Sequence, residues 1–590
     1  MSARELITEH LDLWTEAVTK KSSSGRGSNG KVELTGVKRL RELILQLAVM
    51  GRLVEQDVAD TSPNLQVDKI YIERTGLIAA GKIRPPSRRP TLSAPELKPF
   101  SIPDSWSWTK LEDLFAVVTD GDHQAPPKSE KGVPFLVIGN LNAGQINFFG
   151  CKHVDEAYYE KLDWGRKPTS GDLLYTVTGS YGIPIKVETE RAFCVQRHVA
   201  ILRATDSTPG DFVKLLLAST FGKAYADSIA TGIAQKTVPL TGLRKMPVPL
   251  PPVQEQHRIV QKVDELMALC DRLEQQTSNQ LEAHEILVDT LLATLTQSEN
   301  ATELAGNWAR LAAHFDTLFT TEQSIDKLKQ TILQLAVMGR LVEQDAGDEP
   351  ATELLKRIQD GKDQLSQSSK QRKAKPLPPI SESEEPFSLP SGWTLSRLDD
   401  ITDIQGGIAK GKKVSGKRTR TLPYLRVANV QRSSLDLSEI KEIEIAEDEV
   451  ERYLVRRRDL LITEGGDWDK VGRTAIWDGR IEPMAHQNHV FRARLILAEQ
   501  NERWLERYLN SQFARDYFAG SSKQTTNLAS INKTQLRSCT VPLPPLAEQN
   551  RIVQKVDELM ALCDQLKERL NQASETRNQL AEAVVEGALN

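Results

Sequence analysis

Side chains that can read the edge of a base pair gather in the turns of two stretches of this 590-residue chain, about 99–252 and 386–545. In the first stretch they are His123, Gln124 and Lys128, Asn140 and Asn142, Ser180 and Tyr181, and Gln235 and Lys236. In the second they are Lys410, Lys412 and Lys413, Arg426, Asn429, Gln431, Arg473, Gln487 and Asn488, and Lys523, Gln524 and Asn527. Gln and Asn can bond adenine through two atoms, Arg and Lys suit guanine, and carboxylates such as Asp122 and Asp467 can accept from the cytosine amino group. Taken singly, each is an ordinary surface residue. Their concentration in turns is what points to nucleic acid.

Other chemistry finds less support. The two stretches share Asp172-Leu-Leu and Asp459-Leu-Leu, then Gly179 and Gly466, then Gln196-x-His198-Val with Arg203 and Gln487-x-His489-Val with Arg494. A shared histidine could be a general base, but no Ser, Cys or acid accompanies it at a matching place in both copies, so His198 and His489 read as structural. No catalytic residue is assigned. The run Gly406 to Lys413 nearly spells a phosphate-cradling loop, yet Lys413 stands where a Ser or Thr hydroxyl must hold Mg²⁺. It reads as a cationic loop against a phosphate backbone, or else as a solvated charge run.

Charge and cysteine usage narrow the class. A net charge of −4 and a pI near 6.2 argue against a coat protein that is basic all over. Locally, Lys410 to Arg426 holds seven cations and no acid, and the acidic run Glu439 to Glu451 follows it. The five cysteines form no CxxC pair and no zinc-like cluster, so no metal is expected. Cys270 and Cys563 fall at one repeat position inside an apolar stripe and read as buried thiols. No apolar run reaches the ~18 residues that span a bilayer, which gives a cytoplasmic expectation.

The elements that must position these turns are written twice. Ile44 to Asp57 returns letter for letter as Ile332 to Asp345, and Arg258 to Asp271 as Arg551 to Asp564. From Arg551 onward Ile552, Val556, Leu559, Cys563, Leu566, Leu570, Ala573, Leu580 and Val584 recur at steps of four and three, the seam of a coiled-coil helix. Its first copy runs through Ile259, Val263, Leu266 and Cys270, weakens at Thr277, Gln280 and His284, and recovers at Leu287 and Leu291. Both copies follow Val-Pro-Leu-Pro-Pro, where prolines block helix. A second seam, Val37 to Val54 and Ile325 to Val342, carries Gly51 and Gly339, each marking a close crossing or a break. Matching periods and equal numbers suggest that the two kinds of helix pair.

The implied domains are an N-terminal helical arm over 1–98 with a helix over 37–54, a first globule over 99–252, a helical spacer over 253–385, a second globule over 386–545, and a C-terminal helix over 546–590. The insert Lys21 to Gly30 reads as a flexible loop, and Pro-Phe-Ser-x-Pro-x-x-Trp at Pro99–Trp106 and Pro386–Trp393 opens each globule. Short β-rich runs in both globules predict α+β domains, with helices near Asp211–Ser228 and Glu502–Phe518.

The paired Leu-Pro-Pro-x-x-Glu-Gln-x-Arg-Ile-Val starts (Leu250–Val260, Leu543–Val553), the paired Gln-Leu-Ala-Val-Met-Gly-Arg-Leu-Val helices and the Asp-Leu-Leu and Gln-x-His-Val points resemble the specificity subunit of type I restriction–modification enzymes. Length, arm and repeat wording look most like the type IB branch. The resemblance implies an α+β chain of two globular target recognition domains joined by paired long coiled-coil helices in a pseudo-twofold repeat. Each domain would read one half of a bipartite, asymmetric double-stranded DNA target. The helices would space the domains and dock two methyltransferase (modification) subunits, joined by restriction (translocase and nuclease) subunits. The chain itself would be non-catalytic and hold no cofactor, while the complex would use S-adenosylmethionine, ATP and Mg²⁺. A coiled-coil scaffold whose globules bind proteins is the alternative of another class; it gives no reason for two diverged domains in identical frames.

Overall fold

The computed structural model describes residues 11–16, 19–20, 32–85, 99–122, 129–141, 144–233, 235–299, 301–368, 376–409, 411, 416–466, 470–525 and 528–589. The expected loop Lys21 to Gly30 lies outside them. The chain divides into two compact units, residues 1–280 with 573–590 and residues 281–572.

Four helices carry the constant stretches: α1 (Thr35–Val49), α2 (Val253–Gln297), α3 (Glu322–Val337) and α4 (Leu546–Leu589). In the first unit Val37, Leu40, Ile44 and Leu47 of α1 share one core with Ile259, Val263, Leu266 and Cys270 of α2 and with Ala581 of α4. In the second unit Ile325, Leu328, Ile332 and Leu335 of α3 share a core with Cys563 of α4 and with Val288, Leu292 and Leu295 of α2. The two seams do pair, and Cys270 and Cys563 are buried thiols within them.

Two corrections concern these helices. The helix expected over 37–54 stops at Val49, because Gly51 and Gly339 adopt φ of 72° and 69°, the left-handed conformation that closes a helix. The N–H of Arg52 then returns to the carbonyl of Leu47 at 2.9 Å, and Arg340 to Leu335 at 2.9 Å. The long seams also change register. After Thr277 the buried positions are Val288 and Leu292, leaving Leu287 49% exposed; after Leu570 the buried position is Ala581, leaving Leu580 53% exposed. Thr277 to Val288 and Leu570 to Ala581 are the same step of the repeat, three turns at ~3.67 residues each, a spacing that keeps one side of a helix.

Each globule is built on a four-stranded antiparallel sheet. In the first, β1 (Val117–Asp120), β3 (Leu173–Thr176), β4 (Pro184–Lys186) and β6 (Val199–Arg203) lie in the order β1-β6-β3-β4, while β2 (Val133–Leu136) pairs in parallel with β5 (Cys194–Val195). In the second, β7 (Thr402–Gly406), β10 (Leu460–Thr463), β11 (Thr474–Ile476) and β13 (Val490–Leu495) repeat that order as β7-β13-β10-β11, and β8 (Thr419–Leu425), flanked by β9 (Lys441–Ala446), pairs in parallel with β12 (Met484–His486). All five residues of β6 are buried, as a central strand covered on both faces requires. Each domain closes on itself: Ser107–Lys110 pairs antiparallel with the proline-bearing Pro247–Leu250, and Thr394–Arg397 with Thr540–Leu543.

The single helices expected near 211–228 and 502–518 are each two, Gly210–Ala218 with Thr220–Ile229, and Glu502–Asn510 with Gln512–Ser521. Ser219 and Ser511 break them with extended backbone (ψ 165° and 164°), and the Ser219 hydroxyl accepts from the Gly222 amide as a new N-cap. Trp106 and Trp393 of the entrance motifs meet these helices edge-on, at Phe212 (5.8 Å) and Trp504 (5.5 Å).

Candidate nucleic-acid interface

Strand register decides which loops share an end. In the first domain Ala200 faces Asp120, Val199 faces Thr176, and Leu136 faces Val195, so the loops after β1, β2, β3 and β5 all leave the same end of the sheets. A hairpin over 231–237 joins them, because Thr237 pairs with both Thr231 and Thr178. The second domain repeats the plan: Phe491 faces Gly406, Val490 faces Thr463, and His486 faces Leu425, while Gly465 and Gly466 pair with Ser530 and Ala529. Every described position carrying a candidate residue falls in these loops or the strands beside them.

The shared skeleton ties the sheet at both ends, and its ion pair closes the end opposite the loops. Arg203 ion-pairs with Asp172 in the interior and stacks 4.1 Å over the Trp164 ring, while the Asp172 carboxylate also accepts from the amides of Thr169 (2.7 Å) and Ala204 (2.8 Å). Arg494 grips Asp459 with two bonds of 2.7 Å, and the Arg456 amide donates to the same carboxylate at 2.7 Å. The Asp-Leu-Leu and Gln-x-His-Val-x-x-x-Arg points are thus two ends of one ion pair. His198 and His489 contribute through their backbones, accepting from the amides of Val177 (3.0 Å) and Glu464 (2.9 Å). The His489 ring also bonds Glu464 at 2.9 Å.

A glycine pair lets the strand ends cross. A Cβ on Gly121 would sit 2.0 Å from the Val195 carbonyl oxygen, and one on Gly407 would sit 2.3 Å from those of His486 and Gln487. The bridges Asp122 to Gln196 and Ile408 to Gln487 form at this crossing. Asp122 is held within the fold by Tyr158 (2.9 Å) and Arg166 (3.0 Å).

Of the sequence candidates, His123, Gln124, Lys128, Asn142, Lys410, Lys412, Lys413 and Asn527 lie outside the described residues, as does Asp467. Lys523 and Gln524 stand in a short strand opposite Ser530 and Ala529. Ser180, Gln235 and Lys236 are exposed and brought together, since the Gly179 amide donates to the Lys236 carbonyl at 3.2 Å. Tyr181 beside them is half-buried and donates its hydroxyl to Asp227. Gln487 and Asn488 occupy the turn before β13, and Arg473 donates to Gln431 at 2.6 Å.

Three candidates turn inward instead. Asn140 is buried, its Oδ1 accepting from the Val137 amide at 3.0 Å and its amide donating to the Asn147 carbonyl at 3.0 Å. Asn429 makes the equivalent bonds with Arg426 (2.9 Å) and Asp436 (2.8 Å). Both asparagines close turns with side chains that mimic backbone. Arg426 pairs with Glu439 at 3.3 Å. The basic and acidic runs read from the sequence become neighbours, β8 against β9, with Lys417 on Asp448 at 3.0 Å. Arg418 and Arg420 remain exposed.

Two exposed residues escaped the sequence reading. Arg197 occupies the turn position of Asn488 and could have been found by carrying that residue across the repeat. Ile233 tips the 231–237 hairpin and carries no polar signal at all. Burial pushes the Cys194 and Cys270 thiols up, to about 12 and about 11, which leaves them poor nucleophiles. Among the described residues no cluster of His, Cys, Asp and Glu could hold a metal ion, and no helix is long and apolar enough to cross a membrane.

Comparison with known proteins places the chain in a family. Residues 103–283 and 390–575 match the family described as type I restriction modification DNA specificity domain. The chain is 37% identical to the type I restriction enzyme EcoEI specificity subunit and 36% identical to the EcoAI specificity subunit, both of Escherichia coli, over 100% of each chain. The crystal structure of the HsdS subunit from Thermoanaerobacter tengcongensis aligns with 83% of this chain and 98% of its own, at 18% identity and a TM-score of 0.40. Two α+β recognition domains on long helices, matched in both copies and over the full length of two relatives, mean that this chain belongs to the family of type I restriction–modification specificity subunits.

Proposed function

We propose that the chain reads a bipartite, asymmetric DNA target, one half-site per recognition domain, while the constant helices dock two methyltransferase subunits, which restriction subunits join. One observation carries the reading: both domains send their loops from the same end of the same sheet, but with unlike side chains. Arg197 in the first stands where Asn488 stands in the second, and Gln235 with Lys236 stands where Leu528 with Ala529 stands. One frame with two unlike loop sets suits two unlike half-sites. A protein-binding scaffold is not favoured beside the family match.

The rest of the assembly follows from the same reading. The chain contributes recognition without catalysis or a cofactor of its own, and the complex uses S-adenosylmethionine, ATP and Mg²⁺. The type IB branch is part of this reading, and full-length similarity to the EcoEI and EcoAI subunits is compatible with it. Mapping methylated bases in a host that carries the chain and its methyltransferase tests the proposal. Two different specified blocks separated by an unspecified gap are expected. A single continuous or palindromic motif would overturn it.

A further inference from the structure

The loop end of the first domain presents one large apolar side chain that the fold leaves wholly to solvent. Ile233 is 106% exposed. The base of its hairpin is tied down: the Thr231 amide donates to the Thr237 carbonyl at 2.9 Å, the Thr237 amide returns to Thr231 at 2.8 Å, and the Val238 amide joins Val177 at 2.8 Å. An exposed isoleucine alone is ordinary. Its setting is more specific, because two residues away stands the exposed Gln235 amide, next to the exposed Lys236 ammonium, and Arg197 is exposed in a neighbouring loop of the same end.

These groups complement one kind of surface. In the major groove only thymine shows a methyl group, and glutamine, like asparagine, has an amide that matches the paired donor and acceptor of adenine. A hairpin tied at its base and offering Ile233 and Gln235 therefore fits a step containing an A·T pair, with lysine and arginine left for phosphates. We propose that Ile233 reads the 5-methyl group of a thymine in the half-site bound by the first domain, with Gln235 bonding an adenine edge beside it. This rests on the DNA-reading role given above. No counterpart of Ile233 is needed in the second domain, whose loops differ.

The test replaces each thymine of that half-site in turn by deoxyuridine, which lacks only the methyl group, and measures binding by the chain assembled with its methyltransferase subunits. One position should weaken binding about fourfold, the effect of one buried methyl. Ile233→Ala should abolish that discrimination and leave thermal unfolding unchanged, since the side chain is fully exposed. Equal discrimination by wild type and variant, or none at any position in the wild type, would overturn the inference. If the wild type binds its mapped target no better than a scrambled duplex, the DNA-reading role itself fails instead.

Discussion

The indole N–H of Trp393 donates to the carboxylate of Glu548 across 2.9 Å, fastening the entrance of the second recognition domain to the first turn of α4. A Cβ on Gly339 would sit 2.8 Å from the Trp393 ring and 2.7 Å from Pro390, so the turn that ends α3 packs under the same motif. The first unit places Pro103 and Trp106 against Gly51 in the same way, and Gln56 donates to Glu255 there at 2.6 Å. Burial holds both glutamates above the usual carboxylate range, which makes a missing donor costly. Trp393→Phe keeps the ring and removes the donor, and should destabilise the second unit by about 1–3 kcal/mol in urea unfolding. An unchanged midpoint would show that Glu548 is satisfied without the tryptophan.

The Arg397 guanidinium grips Glu384 at 2.8 and 3.2 Å and, helped by the Ser381 amide, holds its carboxyl down to about 2 from 4.5. A carboxyl depressed in the folded state contributes stability above pH 4.5 that disappears as pH falls through about 2. The stability difference between wild type and Glu384→Gln should therefore shrink across that window, and salt should reduce it further because Glu384 is partly open to solvent. A difference constant from pH 5 to pH 3, within about 0.3 kcal/mol, would contradict the linkage.

Asp172 and Arg203 are both buried, so removing one charge strands the other. Asp172→Asn should cost about 3–5 kcal/mol, read as a lowered unfolding midpoint of the first domain. A loss under about 1 kcal/mol would place the pair among ion pairs of little net weight.

Arg197 and Lys236 are exposed cations at the loop end of the first domain. Replacing each by Gln should weaken binding to specific and random duplexes alike, and lower the slope of log affinity against log salt by about 0.9 for every phosphate no longer neutralised. Salt titration of filter or gel binding checks this. A selective weakening on the specific duplex would assign them to bases instead.

Between Thr277 and Val288 α2 changes seam. Four residues inserted there add about 6 Å of helix, one turn, and should lengthen the unspecified gap of the methylated motif while sparing both half-sites. Altered half-sites with the gap intact would remove the helix as a spacer.

Much of this arrangement was legible before folding. Identical letters at Ile44–Asp57 and Ile332–Asp345 required identical helices, and the spaced points Asp172, Arg203, Asp459 and Arg494 announced one sheet used twice. Periodicity survives in sequence because burial along a helix repeats every few residues whatever the neighbours are. The end of α1 was less legible: Gly51 fits either a crossing or a stop until φ is known.

The amino-acid order by itself determined the duplicated frame, the two globules and the stretches that carry the candidate residues, since these depend on local pattern and on comparison of one copy with the other. Only the tertiary structure decided which polar side chains face out. Asn140 and Asn429 turn inward because an asparagine in a tight turn can satisfy its own backbone, and Arg426 is drawn to Glu439 because β8 lies beside β9. Arg197 and Ile233 stay outward because no strand or loop among the described residues covers them. Strand register and loop crossing set these directions, and both arise from contacts between residues far apart in the chain.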